Sequence, residues 1–407
     1  MERVLEDSTG CTACSACLNI CKKGAISLLA DEEGFLYPVI NKDVCVDCGL
    51  CKRVCPSLNV ARDKDEKGAS RDDAFPQEYY AAISNDEPTR LRSSSGGVFG
   101  LIADAFISKG AIVVGAYMDQ SFVVRHGTSL DTDYKAFAGS KYVQSDMGDI
   151  FSKIGLYLTK GQTVLFSATP CQVAGLKSYL KHQSVDMDRL YTADFICHGV
   201  SSPKLWQDYC NYLASKHGPL EEYVFRGKAR GWHGWYPRII CGGKDVSLEH
   251  KSKDSYILLY QSLNITRPSC FNCPYTSYDR VSDLTMADFW NIKNLSKDMD
   301  DDNGTSELLI NSPKGKELFS LVKIHARVLE CTKKDVWQPH LEYPNNYPRN
   351  RQAFWDYYKR VDMDKIMSRY GKGDAMTRLK NTITPILKVT GLYVLFGKLY
   401  RLLFVRK

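Results

Sequence analysis

The sequence predicts an α+β chain: a small cysteine-rich unit at the N-terminal end, followed by a larger mixed α/β domain. Three observations carry this expectation. Eight of the fifteen cysteines fall within the first 55 residues. From Tyr79 onward, short β-branched and aromatic runs alternate with apolar helical segments. With 407 residues, 44% apolar and 25% charged, the chain has the composition of two or three folded domains, not of a disordered or fibrous protein.

The cysteines come first. They read Cys11-x2-Cys14-x2-Cys17-x3-Cys21 and Cys45-x2-Cys48-x2-Cys51-x3-Cys55, the second run repeating the first 34 residues later. Three thiolates two residues apart wrap one corner of a [4Fe–4S] cube, and the fourth, after a short turn, reaches the partner cube. One cluster would take Cys11, Cys14, Cys17 and Cys55, the other Cys45, Cys48, Cys51 and Cys21. Pro56 follows Cys55 as the bacterial ferredoxin run expects, whereas Lys22 stands where the first run would have proline. A pair of zinc sites is the alternative, but zinc usually takes its ligands as two separated pairs. Clusters of this kind exchange single electrons, so residues 1–60 read as an electron wire. Met1 to Asp7 shows no apolar export segment. Fifteen cysteines then point to metal in a cytoplasmic protein rather than to disulfides.

Residues 61–77 are charged and read as a linker. Residues 78–180 and 181–345 then supply the two parts of the α/β domain. Tyr79–Ile83 is a strand, and Ser93-Ser94-Ser95-Gly96-Gly97 is a turn opening the helix Val98–Ser108. Ala111–Tyr117 and Gln162–Ser167 are strands, Gln172–Leu180 is a helix, and Tyr191–Cys197 is a buried strand. Residues 346–407 are expected to form a helical basic tail.

The net charge of +7 is located in that tail. Residues 376–407 carry seven Lys/Arg and no acid, leaving 47 basic and 47 acidic residues elsewhere. Nothing in this balance argues for nucleic acid. No uncharged apolar run is long enough to cross a membrane. Ile383–Val405 mixes apolar residues with Lys388, Lys398 and Arg401, which suits peripheral contact with the inner face of a membrane. A helix docked on the protein's own core is the alternative.

The larger domain offers three candidate sites. The turn Ser94, Ser95, Gly96, Gly97 opens a helix and so presents free N–H groups to an anion such as phosphate; a simple cap is the alternative. Ser140, Lys141 and Tyr142 form a second turn that adds a cation and an aromatic, or else an ordinary surface loop. Cys171 and Cys197 follow apolar strands, where α/β folds place their sites, and Cys270-x2-Cys273 has metal-ligand spacing. These four thiols could bind a third cluster; alternatively Cys171 and Cys197 are small buried hydrophobes and the pair is a redox or zinc remnant. Cys210, Cys241 and Cys331 are expected to be packing residues.

Taken in order, these motifs resemble a known family. The two ferredoxin-type runs are followed by Ser93–Gly97, Gly139–Ser145, Thr169-Pro170-Cys171-Gln172 to Leu176, Cys197-His198-Gly199 to Pro203, Arg267–Tyr275 and Ser282–Trp290. The sequence over about residues 8–292 is similar to the beta-subunit family of coenzyme F420 hydrogenases and dehydrogenases, in which a ferredoxin domain is fused to a flavoprotein domain. The resemblance implies FAD, with the Ser/Gly turn, Lys141 and the turn of Thr169, Pro170 and Gln172 around the flavin, where a lysine would stabilise the anion of the reduced ring. Glu33–Pro38 resembles bacterial members encoded among envelope polysaccharide genes. The expected activity is an iron–sulfur flavoprotein oxidoreductase acting on a small-molecule substrate and exchanging electrons with a redox partner protein, either a ferredoxin-like donor or an enzyme subunit. A non-catalytic electron-transfer subunit and a coenzyme F420 dehydrogenase or hydrogenase beta subunit are the alternatives.

Overall fold

Residues 2–5, 7–59, 75–247 and 254–372 are described by the computed structural model of the chain. The N-terminal unit is built on its cysteine repeat. The helix Ala16–Ile20 follows the first loop and the short helix Leu50–Arg53 follows the second. Between them β2 (Ile26–Ala30) and β3 (Leu36–Ile40) pair antiparallel, and β1 (Glu2–Arg3) adds to β3. So small a unit has little core of its own. Ala16, Ile20, Phe35, Tyr37 and Val54 are buried in one continuous apolar cluster with Phe151, Val173 and Leu176 of the larger domain.

The larger domain is organised by one eight-stranded sheet. Its strands are β4 (Glu78–Ser84), β5 (Ile112–Met118), β6 (Val124–Thr128), β7 (Val164–Ser167), β8 (Leu190–Phe195), β12 (Leu284–Asp288), β13 (Ser306–Ile310) and β14 (Ala326–Cys331), in the order β14-β4-β13-β12-β8-β7-β5-β6. The four central strands β12, β8, β7 and β5 run parallel. Strands alternate their side chains between faces. Here Val113, Leu165 and Ala193 meet the helices Val98–Ser108 and Pro313–Lys323 on one face, while Ile112, Val114, Val164 and Phe166 meet Ile150–Thr159 and Pro170–His182 on the other. Both faces are covered, which is why the central strands are uninterrupted apolar runs. Strands from both sides of residue 180 share this sheet, since β4 lies between β13 and β14.

Three antiparallel strands, β9 (Leu220–Gly227), β10 (Tyr236–Cys241) and β11 (Lys244–Asp245), form a second sheet behind the helix Pro203–His217. Two C-terminal helices, Arg351–Tyr358 and Met363–Arg369, pack Phe354, Trp355, Tyr358, Ile366 and Met367 into the main core. This part of the expected tail is docked on the body, and Arg351 forms a bidentate ion pair with Glu33 of the N-terminal unit. The segment 383–405 lies outside the described residues. Among the described residues no helix is long and apolar enough to cross a membrane.

Candidate redox site

Each cysteine run folds as a loop with left-handed residues between its thiols. Ala13 (φ 52°) and Ser15 (φ 67°) in the first run correspond, 34 residues on, to Asp47 (φ 49°) and Gly49 (φ 69°) in the second. Such turns aim successive N–H groups into a concavity that suits an anion, and the Ala13 N–H lies 3.4 Å from Cys11 Sγ. Cys11, Cys14 and Cys17 line one small cavity together with Cys55 from the other run, closed by Leu5, Leu28 and Pro38. Burial pushes the Cys14 thiol well up, and the adjacent thiols of Cys17, Cys55 and Cys11 add to the shift. Ser15 Oγ is buried without a partner among the described residues, a free hydroxyl beside that cavity. In the second group, burial raises the Cys51 thiol, with Cys45 and Cys48 contributing. Cys21 ends the Ala16–Ile20 helix. Among the described residues no three His, Cys, Asp or Glu side chains close on a single-ion position. Cys11, Cys14, Cys17 and Cys55 instead ring a void, as ligands of a cube do.

The four remaining candidate thiols come together from three elements. Cys171 is the second residue of the helix Pro170–His182, Cys197 lies just beyond β8, and Cys270 and Cys273 sit in and after the turn Pro268–Asn272. Burial pushes Cys197 well up, and Cys270, Cys171 and Cys273 act on it electrostatically. Cys270 is pushed up to about 11 and Cys273 to about 12, burial being the main cause in both. Cys171 is also raised by burial, with Thr169 Oγ1 3.2 Å from its Sγ, and it lies beside Thr12 of the N-terminal loop, whose buried hydroxyl has no hydrogen-bond partner among the described residues. The group therefore lies directly behind the inner cysteine cavity.

Arg267 joins the two. It is wholly buried, and its guanidinium donates to Cys11 O at 2.7 Å, Gln144 Oε1 at 2.9 Å and Leu36 O at 3.0 Å. Its plane lies 4.2 Å from the Tyr37 ring centre. The interface is further fixed by Asn19, which donates to Gly148 O and accepts from the Ser152 N–H. Ser178 Oγ also donates to Val54 O.

On the other side of the four thiols is a cavity of about 250 Å3. It lies at the carboxyl ends of β7, β8 and β12, where open α/β sheets bind ligands. Cys197, His198 and Gly199 form part of its wall. Ser94, Ser95, Gly97 and Val98 bring the start of the helix Val98–Ser108 to it, with Gly97 at φ 90° as the cap. Ser140, Lys141, Tyr142, Thr169 and Gln172 also line it. Thr169 and Gln172 are a reciprocal capping box, and Gln172 donates onward to Ser145 Oγ.

Three expected site residues behave differently. Gly96 does not line the cavity. Its N–H donates to Ser306 Oγ, and a Cβ there would lie 2.3 Å from Ala82 O, so glycine is needed for packing between β4 and β13. Pro170 is buried as the first residue of its helix and is not among the lining residues. Lys141 reaches the cavity wall, but its ammonium donates to Ala116 O, Ala136 O and Ala138 O at 2.7–2.9 Å. Burial pushes it down to about 7, while three carbonyls accepting its three protons favour the charged form. The side chain thus shapes the turn rather than offering a free cation.

Sequence reading passed over several residues of this cavity. His126 of β6 is 7% exposed, with both ring nitrogens unpartnered among the described residues, and burial pushes it down to about 4. An aromatic wall is formed by Tyr142 stacked on Trp235 at 5.4 Å, Tyr260 against Tyr142 at 4.8 Å, and Trp290. Arg226 lies over Trp235 and Trp290 and pairs with Asp288 at 3.0 Å. Of this wall, Tyr142 belongs to a turn expected from the sequence, and Trp235 to a Gly/Trp-rich stretch, 225–235. Cys210 and Cys241 are buried in the core, and Cys331 is half-buried at the sheet edge.

Residues 161–335 match the family model for the C-terminal region of the coenzyme F420 hydrogenase/dehydrogenase beta subunit. Residues 10–59 match a 4Fe-4S dicluster domain. No curated protein matches the chain. Among solved structures, a chain of the F420-reducing [NiFe] hydrogenase complex from Methanosarcina barkeri is similar at 14% identity and a TM-score of 0.41, over 72% of this chain and 92% of that one. The chain is an iron–sulfur electron-transfer protein related to the coenzyme F420 hydrogenase/dehydrogenase beta subunits, with a 4Fe-4S ferredoxin-like domain followed by a mixed α/β domain.

Proposed function

We propose that this chain is an iron–sulfur flavoprotein oxidoreductase. In this reading Cys45, Cys48, Cys51 and Cys21 hold an outer [4Fe–4S] cluster. Cys11, Cys14, Cys17 and Cys55 hold an inner one, and Cys171, Cys197, Cys270 and Cys273 a third. FAD would occupy the cavity and supply the exchange between single electrons and electron pairs that hydride chemistry requires. The observation that carries the reading is the position of the four body thiols, between Thr12 of the inner loop and the cavity that Cys197 lines. Ser94, Ser140 and the N-terminal N–H groups of the Val98–Ser108 helix would take the phosphates. The aromatic wall would hold a flat ring, and the buried His126 would offer it a hydrogen bond. The likeness of Glu33–Pro38 to polysaccharide-cluster members supports a substrate in envelope polysaccharide synthesis.

The test is anaerobic reconstitution of the full chain with iron, sulfide and flavin counted. About twelve irons and one FAD are expected, falling to about eight irons in Cys270→Ser/Cys273→Ser. A double variant that keeps all its iron removes the third cluster, and a chain that never retains flavin leaves only the wire. Peripheral membrane contact through 376–407 is proposed on its sequence alone, a basic segment in which cations are mixed with apolar residues. Flotation with anionic liposomes should show binding by the full chain and none by a chain ending at Asp374; equal behaviour refutes it.

A further inference from the structure

The electron-transfer reading leaves open what delivers electrons to the outer cysteines, and the surface around them is distinctive. Cys11, Cys14, Cys17 and Cys55 are buried, whereas Cys48 is exposed and Cys45 and Cys51 are half-buried. On the same loop Val44 is 42% and Val46 59% exposed. Lys22 and Lys23 follow Cys21, and Lys42, Lys52 and Arg53 belong to the second loop; all five are exposed or partly exposed. Asp43 and Asp47 are the only acids over 21–24 and 41–53. Arg53 is held in place by donating to Cys48 O at 3.0 Å, so at least one cation has a fixed position beside the most accessible thiol. An apolar centre with a basic rim thus surrounds the solvent-facing end of the cysteine array, while its other end is sealed against the helix Pro170–His182.

We propose that this face docks a small acidic single-electron carrier protein. Its acidic rim would meet Lys22, Lys23, Lys52 and Arg53, and its apolar contact would cover Val44 and Val46. At each encounter the carrier is oxidised by one electron and the outer cluster is reduced by one, with no bond or proton changing hands. Charge complementarity of this kind acts chiefly on encounter rate and orientation, and it weakens as salt screens it. A small exposed patch suits a transient complex, as redox pairs require.

The inference rests on the wire reading, and the experiment separates the two. Reconstituted full-length protein is mixed with a small acidic two-cluster bacterial ferredoxin. Binding is read from the anisotropy of dye-labelled oxidised ferredoxin, and electron transfer by stopped flow with reduced ferredoxin, both across a salt series. Reduced methyl viologen is the carrier-independent control. Affinity and rate should both fall as salt rises. The variant Lys22→Glu/Lys23→Glu/Lys52→Glu should lose about tenfold or more in both, with iron content and the viologen rate unchanged. Val46→Ser should lose affinity without changing the salt slope. A rate that rises with salt or ignores it, or a triple variant that binds as the parent does, overturns the docking face. Intact clusters that viologen reduces but ferredoxin does not also overturn it, leaving the wire standing; a chain that assembles no N-terminal cluster overturns both.

Discussion

Gly175→Ala sets two effects of known size against each other. Gly175 lies in the middle of the helix Pro170–His182, where alanine ordinarily gains about 1 kcal/mol over glycine. Here a Cβ would stand 2.9 Å from both Cβ and Sγ of Cys14 and 3.2 Å from Phe151 Cε2. The Cys14 contact must open by about half an ångström to reach ordinary van der Waals distance. Phe151 is wholly buried, and a cluster held in the cavity that Cys14 lines would leave that thiol no room to yield. Overpacking a filled core costs about 1–3 kcal/mol, so the net change should be a loss of up to about 2 kcal/mol. In a domain of this size that is several degrees of melting temperature, at about 2–4 °C per kcal/mol. The displaced atom is a proposed ligand of the inner cluster, so the loss should also be local. Iron content should fall toward about eight, from about twelve, with the remaining clusters giving their usual low-temperature EPR signals. A variant that melts higher and keeps its full iron and spectrum would show that the helix does not press on the inner loop, and the proposed route would lose its tightest joint.

Three further outcomes follow from buried groups. Arg267→Met leaves Cys11 O, Gln144 Oε1 and Leu36 O without their donor, at about 1–3 kcal/mol for each acceptor left dry. Calorimetry should show a lower melting temperature and iron assay a lower content, and unchanged values for both would contradict the bridging role. His126→Leu removes two unpartnered ring nitrogens, so the chain should fold at least as stably and, if the cavity holds FAD as proposed, should bind it more weakly, as measured by equilibrium dialysis; undiminished flavin affinity would take His126 out of the site. Burial raises the Glu307 carboxyl well above its ordinary value near 4.5, against the Gln338 hydrogen bond and with Asp288 adding to the rise. The folded state therefore holds a proton that the unfolded state releases. Stability from this group is full below about pH 4.5 and declines as pH rises. Melting curves of Glu307→Gln should lose that decline, and parallel pH profiles for the two proteins would show that Glu307 is ionised in the fold.

Local pattern made much of the architecture legible. The helix Val98–Ser108 matches its expected limits, because a Ser/Gly turn and an apolar period leave little choice. The expected strands at 79–83, 111–117 and 162–167 differ from β4, β5 and β7 by a residue or two. The left-handed residues at 13, 15, 47 and 49 fall on the repeat that cysteine spacing alone revealed. What the sequence concealed depends on distance along the chain. Gly96 looked like part of a phosphate turn because its constraint comes from Ala82 and Ser306, which only the sheet brings near. Lys141 looked like a free cation because its partners are backbone carbonyls, which residue type does not reveal: Ala116 O from a distant strand, and Ala136 O and Ala138 O from the turn just before it. His126 sits on a short strand with an arginine and a glycine beside it, and no periodicity marks it as facing a cavity.

The arrangement also bears on why the two domains are joined in one chain. A buried guanidinium is costly unless opposite charge lies close by. The hydrogen bonds of Arg267 end on two carbonyls and an amide, all neutral. The opposite charge that a bound cluster would bring is thiolate: Arg267 acts electrostatically on Cys171 and Cys270 and bonds to the backbone of Cys11. A [4Fe–4S] cube with four thiolates is a net anion, and on the proposed assignment one such anion lies on each side of this residue. The interface between ferredoxin-like and α/β domains would then be held by the clusters as well as by Phe35, Tyr37 and Val54. Assembly of the clusters and docking of the domains become one event, since the cation that bridges the loops is well solvated only when the anions are present. In that case the gap that electrons must cross is fixed by the same contacts that hold the fold together.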